Sequence, residues 1–138
     1  MGAMKKTLLI AVAALSIAST AHAANKLPKT SSLIGEWCLV DDVDGRGQST
    51  WHYRRKTNDD DCEGKLTIER DGSKTRSIEC RFSRVRRLLK NRGYVVYANC
   101  DRIVGNADVY EDEDELRIID GVLHSRTLYS KCVAGPRC

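Results

Sequence analysis

Residues 33–38 read Leu-Ile-Gly-Glu-Trp-Cys, a short apolar stretch in which a glycine lies two residues before a tryptophan. From Ile34 onward, apolar and polar residues alternate in short runs, and this period of two is typical of β-strands with one buried face. We predict that Gly35 and Trp37 are structural residues of a first strand. The indole of Trp37 is expected to close one end of a small barrel.

Further short β-type runs follow along the chain, separated by turn residues. They cover residues 50–54, 65–69, 77–82, 94–100, 107–110, 116–119 and 123–129. Asp71-Gly72 and Asp120-Gly121 are strong signals for tight turns. Because no helical crossover separates the runs, consecutive strands are expected to pair antiparallel. The sequence therefore predicts an all-β fold, a small antiparallel up-and-down barrel of about eight strands stapled by disulfides. A two-sheet β-sandwich is the alternative.

Residues 82–93 fit two structures. Apolar residues recur there at helical spacing with basic residues between them, which predicts a basic amphipathic helical turn. The alternative is a strand through Arg84 followed by an irregular hairpin loop to residue 92. In either case the stretch is strongly basic, and its candidate binding residues are Arg84, Arg86 and Arg87.

The first residues have the features of a secretory signal peptide. Lys5 and Lys6 precede an apolar run over residues 8–18, and Ala21 and Ala23 stand where a signal peptidase requires small residues. We therefore predict a signal peptide over residues 1–23, cleaved after Ala23, and a periplasmic or secreted protein. The apolar run is shorter than the roughly 20 residues of a membrane-spanning helix, so the mature chain is not expected to insert into a membrane.

The predicted mature chain has two parts. Residues 24–32 are small and polar and are expected to form a flexible lead-in, with Lys26 and Leu27 as candidate binding residues, whereas residues 33–138 form a single β-barrel domain. Loss of Lys5 and Lys6 lowers the net charge from +4 toward neutrality. A near-neutral chain argues against nucleic-acid binding.

All six cysteines lie in the mature part, and an exported chain is expected to oxidise them to disulfides. They are Cys38, Cys62, Cys80, Cys100, Cys132 and Cys138. None forms the close Cys-x-x-Cys pair that is typical of zinc sites, so no metal is predicted. Six cysteines permit many pairings. We expect the first and last strands to be joined through Cys38 and Cys132, and two middle strands through Cys62 and Cys80. Cys138 is expected to bond Cys100 or to stay free.

Candidate catalytic residues are scarce. His52 and His124 lie inside alternating strand patterns and belong to no hydrolase or metalloprotease motif. Acidic runs at 41–44, 59–61 and 111–115 lack the order of an EF-hand loop. We interpret all three as solvated loops, with 41–47 ending the first strand and 111–115 forming a hairpin loop. The sequence therefore predicts no catalytic residues, no enzyme activity and no cofactor.

Trp51 and Tyr53 share one face of the second predicted strand. Aromatic side chains in such positions pack in a core or line a ligand cavity. Trp51 and Tyr53 are therefore candidate binding residues for a small apolar ligand.

The Leu33-x-Gly35-x-Trp37 pattern behind a signal peptide and ahead of a run of strands resembles lipocalin-like small barrels. Within that class it is similar to the bacterial periplasmic metalloprotease inhibitors, in which an extended trunk precedes such a strand. The resemblance implies that residues 24–32 enter the active-site cleft of a protease. The spacing of the cysteines, with Tyr129-x-x-Cys132 near the end, also resembles that of uncharacterised secreted proteins of rhizobia and their relatives.

These observations favour an exported binding protein with no catalysis of its own. Its expected role is that of a protein-binding or protease-inhibitor-like module, whose partner is a protein such as a protease. The alternative is a lipocalin-like carrier of a small apolar ligand. A secreted enzyme of unknown class is a second alternative.

Overall fold

A computed structural model describes residues 24–45, 48–59, 61–105 and 107–138; the predicted signal peptide lies outside them. The described residues form eight strands and one short 3-10 helix. These are β1 (Gly35–Gly45), β2 (Gln48–Arg55), β3 (Lys65–Ile68), β4 (Gly72–Lys74), β5 (Ile78–Arg87), the 3-10 helix (Leu89–Asn91), β6 (Tyr94–Arg102), β7 (Val109–Ile119) and β8 (Val122–Ala134). Within this part of the chain, no helix has the length and hydropathy needed to cross a membrane.

The strands close into one antiparallel barrel in the order β1-β2-β8-β7-β6-β5-β4-β3. The predicted fold class, a small all-β barrel with disulfides, is confirmed. Strands β3 to β8 form a meander, whereas β1 lies between β2 and β3 and pairs with both. The connection from β2 to β3 therefore passes over β1, and the barrel closes where β2 pairs with β8.

Several strand boundaries differ from the predicted ones. Residues 41–45 continue β1, beyond a register shift between Leu39 and Asp41, although their charge indicated a break. The short strand β4 was not predicted, because Gly72–Lys74 contains no apolar side chain. Residues 78–87 are a strand, so the helical interpretation of 82–93 is wrong, and the strand-and-loop alternative is confirmed with a longer strand. Pairing with β6 along its whole length stabilises β5 against the helical alternative.

The predicted hairpin loop at 111–115 is also wrong, because these residues lie inside β7. They pair with β6 on one side and with β8 on the other. Their charge obscured a regular alternation, in which Tyr110, Asp112, Asp114, Leu116 and Ile118 fall on one face of the strand. Since Leu116 and Ile118 pack in the core, this face points into the barrel.

Trp37 closes one end of the barrel, as the sequence predicted. Its side chain is 1% exposed, and its Nε1 donates a hydrogen bond of 2.9 Å to the Leu33 carbonyl. On the other side, the guanidinium carbon of Arg55 lies 4.0 Å from the centre of the indole ring. Arg55 also donates hydrogen bonds to the carbonyls of Ile34 and Ser32. This arginine joins the entering chain, the indole and strand β2.

The segment predicted as a flexible lead-in packs against this closed end instead. Leu27 is fully buried in the core. Its backbone N–H donates to the Arg70 carbonyl at 2.6 Å, and the Arg70 side chain donates to the Leu27 carbonyl at 3.1 Å. Val85 donates its N–H to the Ala24 carbonyl at 2.7 Å. Burial of the Leu27 side chain, an apolar residue in a polar stretch, accounts for the ordered course of the segment.

The expected disulfide pairing is wrong. The bonds join Cys38 to Cys62, Cys80 to Cys100 and Cys132 to Cys138. The prediction assumed that the first strand closes the barrel against the last, whereas β2 takes that place beside β8. The first bond ties the β2–β3 connection to the strand it crosses, and the second joins directly paired residues of β5 and β6. Three disulfides are consistent with an oxidising environment.

Replacing Gly35 with alanine should lower the melting temperature, with a loss of about 1–3 kcal/mol in the free energy of unfolding. Gly35 has a φ of 139°, and an added Cβ would meet the Arg55 guanidinium that holds the entering chain. Gly105→Ala is the control, because Gly105 also has a positive φ but an added Cβ there meets nothing within 4 Å. Equal losses in the two variants would contradict the role assigned to the contact with Arg55.

Candidate ligand-binding site

A cavity of about 440 Å³ lies inside the barrel, at the end opposite Trp37. This end is formed by the turn between β4 and β5 and by the end of the β2–β3 connection. Strands β2, β7 and β8 supply much of the wall. The lining residues are Leu39, Trp51, Tyr53, Glu63, Gly64, Lys65, Leu66, Ile68, Ser73, Thr75, Arg76, Ser77, Ile78, Cys80, Val96, Asp112, Asp114, Leu116, Ser125 and Thr127.

The floor of the cavity is apolar. Leu66, Ile68, Val96 and Leu116 are buried there and belong to the same core that contains Trp37. This core fills the closed half of the barrel and leaves the other half hollow. The interior therefore has a solid base on which an apolar group can pack.

Two aromatic side chains stand on the wall above this floor. Trp51 and Tyr53, predicted as binding residues from their shared face on β2, both line the cavity. The pKa of Tyr53 is raised to about 12, first by burial and then by the nearby charge of Asp114. Tyr53 is therefore a neutral hydroxyl at all physiological pH values.

Two carboxyl groups from β7 complete the wall. Alternation along the strand turns Asp112 and Asp114 inward, and each is met by a hydroxyl from β8. The Ser130 hydroxyl lies 2.5 Å from Asp112 Oδ1, and Thr127 hydrogen-bonds to Asp114. Burial raises the pKa of Asp114 to about 7 against the opposing effect of Thr127, and the negative charges of Asp112 and Glu113 add to the rise.

Other predicted binding residues lie away from the cavity. Lys26 is exposed, and Leu27 is part of the core at the closed end. Arg84, Arg86 and Arg87 are exposed on β5. The Arg84 guanidinium carbon lies 4.7 Å from the centre of the Tyr97 ring on the outer face. Arg87 borders a second hollow of about 450 Å³, between residues 28–33 and the ends of the strands.

Two histidines form a cross-strand pair at the seam that closes the barrel. His52 on β2 is the register partner of His124 on β8, and their ring centres are 4.3 Å apart. The pKa of His124 is lowered, mainly by burial and also by the neighbouring His52, with Asp120 opposing the change. Neither residue lines the cavity.

A cluster of potential metal ligands contains Cys80, Cys100 and Asp112, whose ligand atoms all lie within 4.8 Å of one another. The two sulfur atoms are joined in a disulfide. They therefore lack the thiolate form in which cysteine binds metal ions.

Sequence reasoning missed Asp112, Asp114, Thr127 and Arg55. The signal for the two aspartates was present, because they alternate with glutamates over residues 111–115 and continue at a period of two into Leu116 and Ile118. A strand with carboxyls at inward positions does not show the alternation of apolar and polar residues that marks a buried face. The net charge of the run therefore led to the interpretation as a solvated loop. Arg55 and Thr127 had no local signal, since each acts through a partner that is distant in sequence.

The site is thus a half-hollow, eight-stranded barrel with an apolar floor, an aromatic wall and two inward carboxyls. Comparison of the chain with protein-family models, curated proteins and solved structures found no match. The resemblance to lipocalin-like barrels and to periplasmic metalloprotease inhibitors stays a prediction.

Proposed function

We propose that the protein is an exported carrier of one small ligand, which it binds inside the barrel without catalysing a reaction. The observation that supports this function is the cavity of about 440 Å³ above a packed apolar floor. Ligand cavities in proteins occupy roughly 300–1,000 Å³ and combine apolar walls with a few polar groups. Eight strands are also the number at which a barrel can hold one small molecule.

The protease-inhibitor hypothesis has less support in the geometry. It requires residues 24–32 to be free to enter a cleft, whereas Leu27 is fully buried and hydrogen-bonded to Arg70. If residues 24–32 left the core to enter a cleft, they would first lose the packing of Leu27, and this loss would weaken binding. A protein partner such as a protease stays a prediction.

Export to the periplasm or the medium is part of the proposal. Its support is the signal-peptide pattern of the first residues, together with the pairing of all six cysteines. Such bonds persist in oxidising compartments.

The binding role is tested with the uncharged fluorescent probe N-phenyl-1-naphthylamine. The oxidised protein should bind it saturably, with increased probe emission. Ser125 lines the cavity, so Ser125→Trp should fill the space and weaken binding by about tenfold or more, which corresponds to about 1.4 kcal/mol. Leu128→Trp is the matched control, because Leu128 lies on the same strand and is exposed.

Saturable binding that is lost in Ser125→Trp and kept in Leu128→Trp supports the carrier function. Absence of saturable binding, or equal binding by the two variants, overturns it. Circular dichroism of each variant establishes that the barrel is folded in every comparison.

A further inference from the structure

The charges around the cavity are unevenly distributed. The inward carboxyls of Asp112 and Asp114 lie on the wall, whereas the cations among the described lining residues lie at the rim. Lys65 is engaged elsewhere, with its Nζ 2.5 Å from Glu36 Oε1. Arg76 is exposed in the turn between β4 and β5. The wall is therefore acidic and the rim is mixed.

The partners of the two aspartates are neutral hydroxyl groups. The Ser130 hydroxyl donates a hydrogen bond to Asp112, and the Thr127 side chain is hydrogen-bonded to Asp114. A carboxylate withdrawn from water is stable when an opposite charge and hydrogen-bond donors meet it. An ammonium group supplies both, since it carries a positive charge and its N–H groups donate strong hydrogen bonds to carboxylates.

The rest of the cavity is suited to an apolar body attached to such a group. Trp51 and Tyr53 present aromatic rings, whose faces attract cations as well as apolar groups. Leu66 and Ile68 form the apolar floor. We infer that the ligand is a small organic ammonium ion, held by Asp112 and Asp114 through its charge and by the aromatic wall and apolar floor through its body. This inference rests on the proposed carrier function.

A bare divalent ion fits the cavity less well. Calcium takes six to eight oxygen ligands at close range, whereas the oxygen atoms here share the lining with an extensive apolar surface. An organic cation uses both parts of the lining.

The inference has a consequence for pH. An ammonium ligand favours the ionised form of Asp114, so its affinity should fall as pH falls through the pKa of about 7 that this carboxyl has in the empty barrel. For one coupled group with this pKa, the decrease between pH 8 and pH 6 is about tenfold. The groups that face Asp114 or lie near it are Tyr53 on β2, Asp112 and Glu113 on β7, Thr127 on β8, and Glu63, Lys65 and Arg76 at the rim.

The test compares two ligands of similar size by titration calorimetry at pH 8. Phenethylamine carries a positive charge, and 2-phenylethanol, with a hydroxyl in place of the amine, is its neutral counterpart. The amine should bind about tenfold or more tightly than the alcohol, because a hydrogen bond to a charged group contributes more than a neutral one. Replacing both Asp112 and Asp114 with asparagine should abolish this preference, because neither of the two inward side chains then carries a negative charge. Glu111→Gln is the matched control, an exposed carboxyl on the same strand that should change neither ligand.

The outcomes separate this inference from the proposed function. Binding of the neutral probe without a preference for the amine, or a preference that survives when both aspartates are replaced, overturns the ammonium inference and leaves the carrier function intact. Calcium chloride binding more tightly than phenethylamine also overturns it. Failure of the neutral probe to bind removes the carrier function itself.

Discussion

Replacing Trp37 with alanine should lower the free energy of unfolding by about 3–5 kcal/mol, the usual loss for a buried tryptophan truncated in a core. The indole is 1% exposed and packs with Leu27 and Leu33 at the closed end of the barrel. Its removal leaves a cavity there, and also deprives the Leu33 carbonyl and the Arg55 guanidinium of their partner. Such a loss is a large part of the 5–15 kcal/mol that stabilises a typical domain.

Urea unfolding followed by far-ultraviolet circular dichroism measures this loss, since tryptophan fluorescence changes with the substitution itself. Trp51→Ala is the matched control, because Trp51 lines the cavity and is only half-buried. We expect it to cost about 1 kcal/mol, in proportion to the smaller apolar area that it buries. Losses of equal size in the two variants would contradict the larger contribution to stability that we assign to the buried indole of Trp37.

The closed end could be predicted from the sequence because its determinants are local. Gly35 and Trp37 are two residues apart on one strand, and the alternation around them indicates which side chains are buried. The same local rule located β2 and β6, and the signal at Asp120-Gly121 located the turn between β7 and β8. The prediction of a closed barrel followed from the number and the length of the predicted strands.

The features that were missed depend on contacts between distant parts of the chain. Whether β1 or β2 closes against β8 is decided by the β2–β3 connection, which no residue pattern marks, and the disulfide prediction failed with it. Leu27 illustrates the same limit on a smaller scale. One leucine in a polar segment gives no periodic signal, yet it is fully buried because Arg70 and the closed end of the barrel receive it.

The acidic run at residues 111–115 shows how charge can conceal a strand. In β7 the inward positions next to the core are apolar, and those next to the cavity are aspartates. A sequence rule that equates inward with apolar fails where the barrel interior is a cavity with polar residues in its lining. Departures from the burial pattern of this kind are expected at functional positions.

Asp114→Asn should make the empty protein more stable at pH 8, and should have little effect near pH 4. The folded barrel raises the pKa of Asp114 from the usual 3.8 to about 7, so the fold favours the neutral carboxyl. The stabilisation from this group is fully present below about pH 4 and is lost as pH rises through about 7. Asparagine stays neutral throughout. Because one pKa unit corresponds to about 1.4 kcal/mol, a rise of about three units makes the gain at pH 8 on the order of 4 kcal/mol.

Urea unfolding of the two proteins at pH 4 and pH 8 measures this difference, and Glu111→Gln controls for the loss of a charge on the same strand. A difference that is equal at the two pH values would contradict the assigned pKa.

A gain at pH 8 means that the native residue destabilises the empty barrel under ordinary conditions. Thr127 offsets only part of this effect, and the proposed ammonium ligand would offset more of it by its opposite charge. Adding phenethylamine at pH 8 should accordingly raise the free energy of unfolding of the native protein by more than it raises that of the Asp114→Asn variant. A ligand stabilises only the state that binds it.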